Sequence, residues 1–256
     1  MLRTRKIGII GAMPEEINGI IDLLSDRTEE TIGLRKYYSG TIGSIPTVVA
    51  FSRWGKVAAS TTATTLVLNY GITDLVFTGV AGGISPELKI GDIVLGKRLI
   101  QHDMDARPLM QQYEIPLLGK TFIECNTDLV KIAEKSILQL LRNNLLQKNI
   151  GSESLNLFNI THPHLFKGDI ASGDCFFSNN NQKEKLRVDL PSVLSVEMEG
   201  AAVAQVCFEY EIPFLIIRTI SDSANENSLI DFPLFIKDIA SKYSKEIIKA
   251  IYANIT

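Results

Sequence analysis

Two hydrophobic rhythms alternate along this chain. Segments rich in aliphatic residues at 6–11, 45–51, 74–78 and 92–100 have the length and β-branched character of buried strands. Pro14 follows the first run at a helix-start position, where its missing N–H does no harm. The segment 36–42 is expected to pair with 45–51 as a hairpin about Gly43-Ser44, and a small-residue helix over 56–69 stops at Gly71. Leu129, Ile132, Ala133, Ile137 and Leu140 fall on one helix face, as do Ile236, Ile239, Ala240, Tyr243, Ile247 and Ile251. From 141 to 166 the rhythm dissolves into Asn- and Ser-rich sequence, and residues 143–164 are expected to form a surface excursion. Nothing in the pattern repeats, and no linker divides it. The predicted architecture is one α/β domain, residues 1–256, with a central mixed, largely buried β-sheet flanked by helices.

Against this pattern one stretch stands out: Ser195-Val196-Glu197-Met198-Glu199-Gly200-Ala201-Ala202. It opens as a strand and closes as a small-residue helix, yet carries two acids where the apolar run should be strongest. An unpaired carboxylate buried there costs several kcal/mol, so it needs a partner or a use. A second apolar run, Ile216-Ile217-Arg218-Thr219-Ile220-Ser221-Asp222, also ends in an acid.

Composition narrows the chemistry. The 256 residues are 45% hydrophobic and 21% charged, ordinary for a globular protein, and the net charge of −3 comes with no basic block of the kind nucleic acid requires. Arg3, Arg5 and Lys6 precede an apolar run too short for a signal peptide, and no segment reaches the roughly 20 apolar residues of a membrane span. Cys125, Cys175 and Cys207 are far apart and odd in number, which points to free thiols and a cytoplasmic location. Neither these nor His102, His162 and His164 have metal-ligand spacing, and Gly8-Ile9-Ile10-Gly11 lacks the third glycine of a dinucleotide fingerprint, so no metal or cofactor is expected.

In open α/β folds ligands gather beyond the carboxyl ends of the strands. Those ends read Ala12-Met13-Pro14-Glu15-Glu16, Gly79-Val80-Ala81-Gly82-Gly83, Asp174-Cys175-Phe176-Phe177, Glu197-Met198-Glu199 and Ser221-Asp222. The set offers acids, exposed backbone and two aromatics, with Arg218 its only base, and suits a neutral or cationic reacting group beside a flat ring. The glycine run reads either as a tight strand exit or as an anion cradle, and Phe176 and Phe177 either as core or as a stacking platform.

Taken together and in order, these motifs resemble those of the 5′-methylthioadenosine/S-adenosylhomocysteine nucleosidases, within the purine nucleoside phosphorylase superfamily. The resemblance covers nearly the whole chain. It implies that Glu16 activates the attacking water, that Asp222 protonates purine N7 with Ser221 beside it, and that Glu199 holds the ribose hydroxyls next to the Met198 amide. Phe176 is implied as the adenine platform and the Phe177 backbone as the reader of its Watson–Crick edge. Met13 and Phe232 border the 5′-alkylthio group, while Val80, Ala81 and Gly82 run along the ribose and water side. Glu197 is counted among the substrate-binding residues, as a supporting acid or a partner for a base such as Arg218. The resemblance further implies a homodimer in which the loop around Ala106-Pro116 contributes to the partner's site, and a role in methionine salvage or in disposing of methylation by-products.

The chemistry fits these roles. Cleaving an N-glycosidic bond passes through an oxocarbenium-like state, favoured by an anion at the sugar and an acid at the departing base. Three features depart from the family pattern: Trp54 replaces a smaller apolar residue near the 5′ pocket, Arg107 and Leu109 sit in the His102–Leu109 loop, and the 143–164 stretch is longer than usual. Two rivals are a phosphate-dependent purine or uridine nucleoside phosphorylase, which needs arginines about its anion and has only Arg53 to offer, and a non-catalytic nucleoside-binding protein.

Overall fold

A computed structural model describes residues 4–142 and 144–255; Arg3 of the basic start and Asn143 of the expected excursion lie outside the described residues. The elements in chain order are β1 (Ile7–Gly11), α1 (Pro14–Ile21), β2 (Ser25–Ile32), β3 (Arg35–Ile42), β4 (Ile45–Phe51), α2 (Lys56–Leu68), β5 (Asp74–Gly83), β6 (Ile93–Gln101) and β7 (Ile123–Glu124). They continue as α3 (Thr127–Arg142), α4 (Leu145–Ile150), α5 (Ser152–Asn156), β8 (Leu165–Ser172), α6 (Asn180–Asp189), β9 (Val193–Glu197), α7 (Gly200–Glu209), β10 (Phe214–Asp222), α8 (Ser228–Phe235) and α9 (Ser241–Tyr252), with a π-helical turn, Ile236–Ala240, joining α8 to α9.

The sheet is mixed, and it closes on itself. β5 pairs parallel with β10, β10 antiparallel with β6, β6 parallel with β8, β8 parallel with β9, and β9 returns antiparallel to β5 through Gly82↔Val196 and Gly83↔Ser195. On the edge of β5 opposite β10, β1 pairs with the first half of the strand and β9 with its end, and β4, β3 and β2 extend the sheet beyond β1. Every residue of β1 and β10 is buried, which explains why both strands read as continuous rather than alternating apolar runs. Helices cover the sheet, and α9 turns Tyr243, Ile247 and Ile251 inward, all at or below 1% exposure.

Three expectations change. The glycine run 79–83 is not a strand exit: β5 runs through it to Gly83, paired with β10 and at its end with β9. Residues 144–164 do run along the surface but are not irregular, because they form α4 and α5, which with the turn after them bury Leu146, Ile150, Leu155 and Ile160 in the main core. Sparse apolar residues sufficed there, since short helices need only one inward side chain per turn. Finally, β2 was absent from the expected elements; as a polar edge strand, exposed along nearly its whole length, it carries no hydrophobic signal.

Candidate active site

The carboxyl ends of β1, β5, β8, β9 and β10 converge on a cavity. All thirteen residues chosen from the sequence as catalytic or substrate-binding line it, from Met13 and Glu16 through Val80, Ala81 and Gly82 to Phe176, Phe177, Glu197, Met198, Glu199, Ser221, Asp222 and Phe232. Ala12, Trp54, Cys175 and Val196 complete the wall. Among the described residues that line it, none is a lysine or arginine.

Glu16 lies in the first turn of α1 and is almost fully buried. Its Oε2 accepts the backbone N–H of Ala12 (2.5 Å) and of Met13 (3.0 Å), and its Oε1 accepts the N–H of Val80 (3.0 Å). The glycine run therefore does cradle an anion, but that anion is the protein's own. Gly79 is what admits it: a Cβ there would stand 2.6 Å from Glu16 Oε1. Burial pushes the Glu16 carboxyl above its ordinary range, against the opposing pull of Arg218 and the three amides.

Asp222 ends β10. Its Oδ1 accepts the Ala224 N–H (2.8 Å) and the Ser228 hydroxyl (2.6 Å), while its Oδ2 accepts the Ser221 hydroxyl (2.8 Å). One oxygen is thus fully engaged by the protein, and the other has a single hydroxyl neighbour that also lies 3.4 Å from the Ala81 carbonyl. Ser228 was not foreseen; a serine at the first position of the helix following the acid was its one sequence signal.

The two acids that made the 195–202 stretch anomalous have separate surroundings. Glu199 immediately precedes α7, at its N-cap, and its Oε1 accepts the Gly55 N–H (2.8 Å). Burial, aided by the neighbouring Glu197 charge, pushes its carboxyl up to about 8. Glu197 borders the cavity, but protein groups occupy both its oxygens. Arg218 Nη2 donates to Oε2 at 2.6 Å, the Glu199 N–H to Oε2 at 3.1 Å and the Gly200 N–H to both oxygens, with the Ser172 hydroxyl donating to Oε1. Ser172 Oγ in turn accepts the Ala201 N–H at 2.7 Å. Glu197 therefore caps α7 and holds Arg218, and the expectation that it binds substrate is corrected to one of support. A hydroxyl that bridges a strand end to a helix start, as that of Ser172 does, has no sequence periodicity to announce it.

Arg218 and Glu197 are both sequestered from water, and the guanidinium also lies over the Phe77 ring at 4.0 Å. Removing one member of such a pair strands the other charge, so Arg218→Met is expected to lower unfolding free energy by about 3–5 kcal/mol. The double variant Arg218→Met/Glu197→Gln recovers much of that loss. Urea denaturation of the three proteins measures this, and a loss under about 1 kcal/mol in the single variant would show that the pair is not what holds this corner.

The aromatic wall is continuous. Phe176 meets Phe232 edge-on at 5.5 Å, and Phe232 meets Trp54 edge-on at 6.0 Å. Phe177 is buried and packs edge-on against His102 at 5.2 Å. Arg53, the base on which phosphorolysis would rest, is not in the cavity wall; its guanidinium donates to the Leu34 carbonyl at 2.8 Å.

A family model for the phosphorylase superfamily matches residues 6–253. The chain belongs to the phosphorylase superfamily. Within it, the chain is 35% identical to a 5′-methylthioadenosine/S-adenosylhomocysteine nucleosidase of Shewanella denitrificans, over 90% of this chain and 92% of that one. It is 34% identical to an aminodeoxyfutalosine nucleosidase of Helicobacter pylori, over 94% and 95%. Its fold superposes with a TM-score of 0.85 on an S-adenosylhomocysteine nucleosidase from Streptococcus pyogenes bound to 5-methylthiotubericidin, at 28% identity and covering 100% of this chain and 99% of that one. The superfamily assignment agrees with the closed mixed sheet and with a site at the carboxyl ends of its strands.

Proposed function

We propose that this protein is a hydrolase that cleaves the N-glycosidic bond of 5′-thio-substituted adenosines, 5′-methylthioadenosine and S-adenosylhomocysteine among them, releasing adenine. The observation that carries the reading is the wall of the cavity: Glu16, Glu199 and Asp222 converge there with no basic side chain among the described lining residues. Phosphate would meet three acids and no cation, whereas water meets a base.

Each group then has a task. Phe176 faces the purine, and Asp222 Oδ2 delivers a proton to N7 while Ala224 and Ser228 hold Oδ1. The C1′–N9 electron pair leaves with the adenine. Glu199 accepts the 2′ and 3′ hydroxyls, and those donors favour its charged form, which then opposes the positive charge growing on the sugar. Water adds to C1′ and passes its proton to Glu16, giving adenine and the free 5′-thioribose. Phe232, Met13 and Trp54 surround the 5′ substituent.

Several features support a cytoplasmic homodimer. Among the described residues the cysteines are free, and no helix is long and apolar enough to cross a membrane. Leu109 and Leu117, at 88% and 94% exposure on and just beyond the 106–116 loop, are apolar surface that a second subunit would cover.

The test is adenine release from 5′-methylthioadenosine and S-adenosylhomocysteine with and without phosphate. The expected result is equal release in both, with free thioribose as co-product. An absolute phosphate requirement with a sugar 1-phosphate product would establish the phosphorylase, and binding without any adenine formed would establish the non-catalytic protein.

A further inference from the structure

The aromatic wall does not end inside the cavity. From Phe176 it runs through Phe232 to Trp54, which is 54% exposed and lines a second, open depression on the outer side. That depression is walled by Arg35, Arg53, Trp54, Lys56 and Asp174. Trp54 is the residue the two hollows share, so a ligand chain leaving the cavity along the aromatic wall passes over Trp54 and enters the depression that both arginines line.

The charges there do not cancel. Lys56 Nζ is paired with Asp103 at 2.6 Å. Asp174 accepts the Lys56 backbone N–H with one oxygen at 2.8 Å. Arg35 donates to the carbonyls of Ser52 (3.1 Å) and Gly33 (3.2 Å), and Arg53 donates to that of Leu34 (2.8 Å). Neutral carbonyls orient both guanidiniums, and among the described residues neither is paired with a carboxylate. Two cations therefore face the single acid Asp174, and each keeps donors in a planar fork that matches a carboxylate. Arg53 holds this place with φ at +74°, a left-handed conformation that a residue with a Cβ adopts only against resistance. The Ser52 hydroxyl, donating to the Arg53 carbonyl at 2.7 Å, helps to hold it.

We propose that Arg35 and Arg53 form a specificity subsite for a carboxylate at the far end of the substrate's 5′ substituent, with Trp54 as the platform over which that substituent leaves the cavity. The inference rests on the nucleosidase reading of the cavity and deepens it: the favoured substrates are adenine nucleosides whose 5′ tail is longer than methylthio and anionic at its tip. The subsite adds binding to the tail and takes no part in bond cleavage.

Three probes separate the ideas: 5′-methylthioadenosine, 5′-deoxy-5′-(3-carboxypropylthio)adenosine, and the carboxamide of that acid. Wild-type protein is expected to favour the acid over the amide by about tenfold in kcat/KM, the worth of one good charge-assisted contact. Arg35→Ala and Arg53→Ala each bring that ratio toward one while methylthioadenosine is turned over within about twofold of wild type, and Arg53→Lys keeps part of the preference because it keeps the charge. Raising salt shrinks the preference in wild type and Arg53→Lys and leaves the two alanine variants unchanged. Calorimetric binding of acid and amide runs in parallel. Acid and amide bound and cleaved equally by the wild type would overturn the subsite even if methylthioadenosine is cleaved well. Failure to cleave methylthioadenosine would instead overturn the nucleosidase reading, and the acid binding no more tightly than the amide would then overturn the subsite independently.

Discussion

Asp222→Asn lowers adenine release by about 100- to 10,000-fold, the usual worth of one general acid, while adenine itself still binds. The geometry explains why the loss falls on the chemistry. Oδ1 is fixed by two donors, the Ala224 N–H and the Ser228 hydroxyl, so an asparagine must turn its carbonyl oxygen toward them. Its NH₂ then occupies the place of Oδ2, where it can donate a hydrogen bond to N7 but cannot surrender a proton. Leaving-group protonation is lost and the shape of the site is kept. Steady-state adenine release and calorimetric adenine binding read the two effects separately. Release within a fewfold of wild type would remove Asp222 from the mechanism.

Glu16→Gln is the second severe lesion, expected at a similar 100- to 10,000-fold for loss of a general base, and it differs in kind. Both oxygens of Glu16 receive backbone amides, so the variant's NH₂ must face at least one N–H among those of Ala12, Met13 and Val80. That leaves an unmatched buried donor pair worth about 1–3 kcal/mol, so stability falls together with turnover. The pH profile separates the two effects. Burial raises the Glu16 carboxyl above its usual range, so the ionised base is present above that raised value and is lost as pH falls through it. Wild-type kcat/KM therefore drops on acidification within a window above that of an ordinary glutamate, and the residual activity of Glu16→Gln lacks the part of that drop that Glu16 supplies. A profile for the variant identical to wild type would assign the base elsewhere.

Loss at these two positions, set beside the modest effects expected at Arg35 and Arg53, divides the site into a centre that transforms the nucleoside and a rim that chooses among 5′ tails. The departure at Trp54 belongs to both parts. As a wall residue it meets Phe232, and as an exposed one it faces the depression with the two arginines.

The sequence carried much of this because burial writes itself into residue type. β1, β5, β6 and β10 were legible as apolar runs since their strands are covered on both faces, and the acids at their ends were conspicuous because a carboxylate in such a setting demands a reason. β2 was not legible, because an exposed edge strand selects polar residues that look like loop. The cores of α4 and α5 were hidden for a related cause: Leu146, Ile150 and Leu155 are too few to set a rhythm among Asn, Lys and Ser.

By itself the sequence determined the fold class, the order of the motifs and the three acids Glu16, Glu199 and Asp222, each of which depends on what lies beside it in the chain. Tertiary structure alone decided which partners those acids have. Glu197 and Arg218 are 21 residues apart, Glu16 and Val80 are 64 apart, and Gly55 reaches Glu199 across 144. Only the pairing of strands far apart in the chain brings such groups within hydrogen-bond range: β1 lies directly beside β5, and the sheet closes through the short β5–β9 pairing, which no local pattern announces. The same closure turned the 195–202 stretch from two unexplained carboxylates into one cap for a helix and one acid facing the cavity, since the sign and distance of each neighbouring charge exist only in three dimensions.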